Sequence, residues 1–346
     1  MGCTYSSKKT QDSIKIGAVL AQTGWASPIG LHMQRGALLA LEKVNTEGGI
    51  NGVPLSIIIE DWKSSNVEAA TAAKKLLEVD GVKIILGQWT GDVQSYLPLI
   101  DDHNATVMCI GCGAPNFTAQ SPNLFRVWPS DELEVKEVVS FANEKGYHNL
   151  AVLYTIDPWA KGLADALVKD WKNTGNPPII IGVQPNQKDF RTEILKVMEG
   201  KADVLYLPMI LTDEGLAIKQ ARELHLTIPL MSTSGASDPS MIAIAGDSAQ
   251  GLIFPQYTPS SPEFVTGYKS RYGEDPGVYA DAGYDAMMVI ALALQNNPND
   301  IQGELHKISN FPGASGSITI DKTGDRVSRD LRLMVIKEGK GVPLSD

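Results

Sequence analysis

At 346 residues, with 43% hydrophobic and 20% charged side chains, the chain has the composition of a globular protein of about two domains at ~150 residues each, which excludes disorder and collagen-like repeats. Thirty Lys and Arg against forty Asp and Glu leave a net charge of −10, so phosphate backbones and anionic lipid would repel it, and neither a nucleic-acid partner nor a polybasic membrane contact is expected. The apolar stretch from Met287 to Leu294 falls well short of the ~20 residues that span a bilayer, so no transmembrane helix is expected.

The first residues read as a tether over 1–12. Gly2-Cys3 is followed by the polar run Thr4 to Asp12, which suits the small-residue-plus-Cys end of a lipoprotein export signal, with Cys3 as a lipid anchor; the alternative is a chance cysteine in a frayed N-terminus. Ile14 to Leu20 then alternates and turns fully apolar, as a strand entering a covered parallel sheet does. Ser27 is placed as an N-cap with Pro28 at the first helical position, and Met33, Ala37, Ala40, Leu41 and Val44 recur at helical spacing until Gly48-Gly49. Strand Leu55 to Ile59, helix Asn66 to Val79, strand Val82 to Leu86, helix Asp92 to His103 and strand Thr106 to Ile110 continue the alternation. Such βα repetition predicts parallel strands, right-handed crossovers and ligands at the carboxyl ends of the strands.

A second run begins at Leu150: strand to Tyr154, helix Trp159 to Asn173, strand Pro178 to Val183, helix Asp189 to Glu199, strand Asp203 to Leu207 and helix Asp213 to Leu224. Strands near Ile228 to Met231 and Gly251 to Phe254 follow, then helices Gly277 to Gln295 and Asp300 to Ser309, and strands near Gly316 to Ile320 and Leu331 to Ile336. Turn chemistry at Ser121-Pro122-Asn123 and Trp128-Pro129-Ser130, and the proline- and serine-rich Pro255 to Pro262, mark places where the chain changes lobe.

A search for catalytic chemistry comes up thin. H-E-x-x-H, G-x-x-x-x-G-K-[ST] and G-x-S-x-G are absent. The three cysteines are too few for a disulfide framework. Cys109 and Cys112 have C-x-x-C spacing, but no second ligand pair accompanies them and the histidines His32, His103, His148, His225 and His306 lie elsewhere, so they read as a buried strand residue and a loop residue rather than a redox or metal site. The acidic pairs Glu60-Asp61, Asp101-Asp102 and Asp213-Glu214 are better explained as solvated faces and caps than as acid-base machinery. The strand ends are richer. Gly87 to Asp92, Gly111 to Pro115 and Thr155 to Trp159 combine glycines, which let backbone N–H groups approach a ligand, with helix starts that favour an anion. Trp25, Trp89 and Trp159 are candidate pocket walls.

Ile16-Gly17-Ala18, Thr23-Gly24, Gly48-Gly49-Ile50-Asn51-Gly52, Asp61, Gly87, Ala114-Pro115, Phe125-Arg126, Asp189-Phe190, Ala221-Arg222 and Tyr284-Asp285-Ala286 run in an order that resembles the branched-chain amino acid group of the type I periplasmic binding proteins, solute receptors of ABC transporters. The resemblance implies an α/β fold of two doubly wound parallel-sheet lobes joined by three hinge crossings, with the ligand cleft between them. It places the first lobe at 13–127 plus 258–327 and the second at 128–257 plus 328–346. The implied function is capture of a small organic solute outside the cytoplasmic membrane by a monomer, closure of the lobes, and delivery to an ABC permease, with no cofactor, metal or bond-breaking step; membrane contact is through the lipid anchor alone.

Carried over residue by residue, the resemblance puts Gly91 and Asp92, and Gly111, Cys112 and Gly113, at the loops that hold an amino acid's carboxylate and amine. Gly91 and Gly113 stand where amino acid binders place hydroxyls. Trp159 corresponds to the covering aromatic of the second lobe, Ile210 to the next aromatic position, Ser234 to the acid that balances the ammonium, and Tyr279 to a late aromatic contact. A buried ammonium without its anion costs roughly 3–5 kcal/mol, so the loss of that acid argues against leucine or isoleucine. If Asp92 or Asp281 supplies the missing charge an amine is favoured; otherwise a neutral amide or a carboxylate held by backbone N–H groups. A ligand-sensing receptor domain is the alternative on the same fold, and a hydrolase or nucleotide-dependent enzyme on an α/β fold is disfavoured by the missing motifs.

Overall fold

The computed structural model describes residues 13–171 and 176–344. Cys3 and the rest of the tether lie outside the described residues. The chain forms two compact units, the first from residues 13–112, Thr118–Trp128 and Ser260–Val327, the second from Gly113–Phe117, Pro129–Pro259 and residues 328–344.

The chain starts with β1 (Ile14–Leu20), α1 (Ser27–Thr46), β2 (Leu55–Asp61), α2 (Asn66–Glu78), β3 (Ile84–Gly87), α3 (Thr90–Asp102), β4 (Thr106–Cys109) and β5 (Leu124–Arg126). Then come α4 (Glu132–Glu144), β6 (Leu150–Thr155), α5 (Pro158–Asp170), β7 (Ile179–Val183), α6 (Arg191–Glu199), β8 (Val204–Leu207), α7 (Leu211–Glu223), β9 (Leu230–Ser232), α8 (Pro239–Ala245) and β10 (Ile253–Tyr257). The chain ends with α9 (Pro262–Tyr272), α10 (Ala280–Asn296), α11 (Ile301–Leu305), β11 (Phe311–Gly313), β12 (Gly316–Ile318), β13 (Leu331–Lys337) and β14 (Lys340–Pro343).

The first unit's sheet has the order β2-β1-β3-β4-β5, all parallel. Strand order reverses at β1 and β3, whose carboxyl ends therefore flank an open crevice of the kind that holds ligands in doubly wound sheets. The second unit's sheet runs β14-β13-β10-β9-β8-β6-β7, with its reversal at β6 and β8. Here the parallel expectation needs correcting, since β13 pairs antiparallel with both β10 and β14. Side chains alternate across this sheet: Ala151, Leu153, Leu205 and Phe254 face α6, α7 and α8, while Val152, Val204, Tyr206 and Ile253 face α4 and α5. Helices thus cover both faces, which is why these strands read as continuous apolar runs.

In the first unit α1 and α10 meet at very close range. A methyl group on Gly36 would run into the Ala280 carbonyl, and one on Gly283 into the Met33 carbonyl. Only glycine leaves room for backbones that near, and a larger side chain would cost about 1–3 kcal/mol in overpacking.

Several local readings are revised. Ala26, not Ser27, occupies the N-cap of α1, and no side chain caps it. Helix α3 starts at Thr90 rather than Asp92, α10 at Ala280 rather than Gly277, and α5 ends at Asp170. Helices α4, α8 and α9 lie where no helix was expected. Pro255 sits within β10, opposite Leu333 of β13; pairing with neighbouring strands overrides its low strand propensity. Cys109 and Cys112 are joined in a disulfide with Cα atoms 5.7 Å apart, so the reading of two separate thiols is wrong. Asp213 and Glu214 are not a solvated face: both are buried.

Candidate functional site

The two sheet reversals place the candidate residues. In the first unit, Trp25 follows the end of β1 and Trp89 the end of β3. Their rings stack at 5.5 Å with planes 22° apart, and Trp62 meets Trp89 edge-on at 6.4 Å. Beneath them the buried Gln88 side-chain oxygen accepts from the Ala21 backbone N–H at 2.7 Å and from Trp62 Nε1 at 2.8 Å, tying the two loops together. Trp25 is 61% exposed, so its stacking energy is spent at the surface, where an apolar face costs free energy unless something covers it. Gly111 allows this arrangement, because a methyl group there would meet Trp89 Cδ1 and Met33 Cε at 2.9 Å.

Asp92 is buried and caps its own helix, its carboxylate accepting from the Trp89 N–H at 2.7 Å and the Gln88 N–H at 3.2 Å. Burial pushes its pKa up to about 7. Gly91 faces open space apart from Asn66. The Cys112 sulfur is consumed in the disulfide, and its carbonyl accepts from Arg126 Nη1 at 2.8 Å. Tyr279 adopts a left-handed backbone at φ 64°, which costs a non-glycine residue of order 1–3 kcal/mol, and its ring packs edge-on against Trp128 at 4.5 Å. Asp281 is buried and accepts from Ser260 Oγ at 3.0 Å.

In the second unit, the ends of β6 and β8 are linked by the Ile210 N–H, which donates to Thr155 Oγ1 at 3.1 Å. Trp159 follows β6. Asp157 caps helix α5 by accepting from the N–H groups of Trp159 and Ala160 at 2.8 and 3.0 Å, an arrangement worth about 1 kcal/mol. The indole Nε1 then donates to Asp131 Oδ2 at 2.7 Å. Asp131 fits because Gly113 has no side chain: a methyl group there would overlap the carboxylate, and the Gly113 carbonyl accepts from the Asp131 N–H at 2.8 Å. One turn on, the fully buried Glu134 accepts from the Ser234 N–H at 2.8 Å. The Tyr257 hydroxyl reaches Asp131 Oδ1 at 3.5 Å.

Sequence reading missed Asp131, Glu134, Tyr206 and Tyr257. A signal existed for one of them: Glu134 occupies the apolar stripe of α4 with Val138 and Ala142, where a carboxylate has no place without a polar partner. Ser234 was singled out by the resemblance, but nothing in the sequence pairs it with Glu134, a hundred positions away.

Buried carboxyls give a pH signature. Burial pushes Asp92 up to about 7, Glu214 up to about 8 despite its Ser232 hydrogen bond, and Asp285 up to about 6 despite its bonds to Ser315 and Ala314. Each binds its proton more tightly folded than unfolded, so each adds a stability that is lost as pH rises from the unfolded value through the folded one. His32, lowered by burial, opposes this below its ordinary value, as a single group. Thermal unfolding is therefore expected at a higher temperature at pH 5 than at pH 8, and Glu214→Gln should reduce the difference. A higher midpoint at pH 8 would contradict these assignments.

Aromatic and acidic side chains gather at the reversals of both sheets of this two-unit α/β protein, and among the described residues there is no group of three or more His, Cys, Asp or Glu able to hold a metal. The sequence profile of a family described as periplasmic binding protein matches residues 13–341, and the chain belongs to that family. It is 25% identical over 327 residues to the leucine-, isoleucine-, valine-, threonine- and alanine-binding protein of Pseudomonas aeruginosa, covering 91% of this chain and 87% of that one. Its fold is similar to that of a leucine binding protein from Thermotoga maritima, with a TM-score of 0.87, 24% identity and coverage of 96% and 98%. A solute-binding protein from R. palustris in complex with benzoate has a TM-score of 0.82 at 19% identity, with 96% of each chain covered. The fold is typical of extracytoplasmic solute-binding proteins, a class generally without catalysis. Among the described residues no helix is long and apolar enough to cross a membrane.

Proposed function

We propose that this protein captures a small organic solute, an amino acid or a related amine, amide or carboxylate, outside the cytoplasmic membrane and delivers it to an ABC permease. The observation that carries the reading is Trp159, a half-buried indole at the reversal of the second sheet whose Nε1 is anchored on Asp131. An anchored aromatic at a sheet reversal is pre-oriented to cover a ligand, so little rotamer entropy is lost on binding. In the first unit Trp25, Trp89, Gly91 and Tyr279 are the proposed contacts, and in the second Trp159, Ile210 and Ser234. A solute that binds the closed lobes better than the open ones shifts the protein toward closure by that difference in affinity alone. The Cys109–Cys112 disulfide supports a location outside the reducing cytoplasm. The names of the relatives extend from branched-chain amino acids to benzoate, so they do not choose among ligand classes.

The test is a thermal-shift panel of amino acids, amides, amines and aromatic acids on protein unfolded and refolded to strip carried-over solute. A ligand at 100 times its Kd adds about 2.7 kcal/mol. Trp159→Ala is expected to weaken the panel ligand by roughly tenfold or more, as loss of a buried aromatic anchor does, with the fold intact. Unchanged affinity would remove Trp159 from the site, and a panel without any ligand would overturn the solute-binding reading.

A further inference from the structure

The acid expected opposite an ammonium is replaced by Ser234, yet the second unit carries two carboxylates beside that position. Resting on the solute-binding reading above, we propose that Asp131 and Glu134, one turn apart at the start of α4, form a recognition site for a protonated nitrogen, and that the solute carries an ammonium or amidinium group.

Glu134 supports this most directly. One of its oxygens, Oε2, accepts from the Ser234 N–H, and the other, Oε1, has no hydrogen-bond partner among the described residues. A fully buried carboxylate oxygen left bare is costly unless a donor arrives. Tyr206, on β8, is fully buried as well and its hydroxyl has no partner among the described residues. Asp131, Glu134 and Glu214 all act on that hydroxyl, raising its pKa well above the ordinary value after burial has done the most. The Tyr206 hydroxyl is thus a second buried polar atom without a partner, within electrostatic reach of Glu134 and Asp131.

The surroundings suit a cation. Burial and then Asp131 drive the Glu134 carboxyl well above the usual range, against hydrogen bonds from Ser234 on the 3-10 turn after β9 and Tyr257 on β10. These leading influences include no positive charge. Two carboxylates of which one raises the other's pKa resist ionising together, and a cationic ligand supplies the charge that lets both do so. Trp159, whose indole contacts Asp131, adds an aromatic ring that attracts cations. Arg329 lies over the Tyr257 ring at 5.3 Å and accounts for that ring's own partner. The relocation also explains Gly113: the absence of a side chain, which the resemblance counts as a lost hydroxyl, makes room for the Asp131 carboxylate.

The experiment is calorimetry on refolded protein with leucine, agmatine and isoamylamine as cation-bearing probes, each with N–H groups to donate, and isovalerate and isobutyramide as anionic and neutral counterparts, at pH 6 and 8. At least one cation-bearing probe is expected to bind, more tightly at pH 8 because Glu134 must lose its proton to pair. Glu134→Gln should weaken that probe by roughly thirtyfold, as removal of a buried charge partner does, and should abolish the pH dependence. Asp131→Asn provides the same readout should Glu134→Gln fail to fold. Equal or tighter binding of isovalerate or isobutyramide, wild-type affinity in a folded variant, or no binding by any cation-bearing probe each overturns the inference. In those cases a nitrogen-free ligand from the thermal-shift panel leaves the solute-binding reading standing, whereas no ligand at all removes both.

Discussion

Arg126→Met is expected to destabilise the first unit by about 3 kcal/mol, the lower end of the 3–5 kcal/mol that follows loss of one partner from a buried ion pair. Arg126 is fully buried on β5, with Nε and Nη2 donating to the two carboxylate oxygens of Asp325 at 2.7 and 2.6 Å and Nη1 donating to the Cys112 carbonyl at 2.8 Å. Asp325 keeps a fifth of its side chain in solvent, so it can rehydrate in part, which places the cost at the lower end. The bidentate geometry cannot be restored by lysine, which is a point charge on a flexible stem, so Arg126→Lys should recover only part of the loss. Denaturant unfolding followed by a first-unit tryptophan reports it. A midpoint within experimental error of wild type would show that the pair contributes nothing net.

Gly113→Thr, which installs the hydroxyl that the resemblance leads one to expect, should reduce solute affinity by roughly tenfold or more rather than increase it. The new Cβ would overlap the Asp131 carboxylate; the carboxylate must swing away and release Trp159 Nε1, now held at 2.7 Å. A hydrogen bond to a charged group contributes about 1.5–3 kcal/mol, and without it the indole is free to leave the orientation that covers the ligand. Far-UV circular dichroism should remain that of wild type, because Gly113 lies outside the helices and strands. Improved binding in this variant would mean that the hydroxyl, not the carboxylate, is what the site lacks.

The resemblance to the branched-chain amino acid receptors assigned Trp159, Ile210 and Ser234 to ligand contacts; in the second unit Trp159 lies in the first turn of α5, Ile210 is the N-cap of α7 and Ser234 is on the 3-10 turn after β9. It also pointed to Asp92 and Cys112, whose reacting atoms are already committed, the first to the N-terminus of α3 and the second to Cys109. Both partners stand three positions away in sequence, so the spacing was legible and the backbone geometry that closes it was not. Asp92 as a cap depends on where α3 starts, and helix starts are set by the backbone leaving β3 as much as by the residues themselves. The disulfide depends on the chain turning back after β4 so that Cα atoms three positions apart come to 5.7 Å.

What the sequence determined by itself is the alternation of apolar strands and amphipathic helices, and with it a doubly wound α/β fold with candidate residues at strand ends. That information is local: it resides in periods of two and of 3.6 residues and in glycines and prolines that stop them. The tertiary structure alone decided that β13 would join the second sheet antiparallel, that Gly113 would make space for Asp131, and that Glu134 would lie buried against the backbone of Ser234. Those outcomes depend on pairs of groups far apart in sequence, whose desolvation and hydrogen bonding are fixed only when the strands order themselves into sheets.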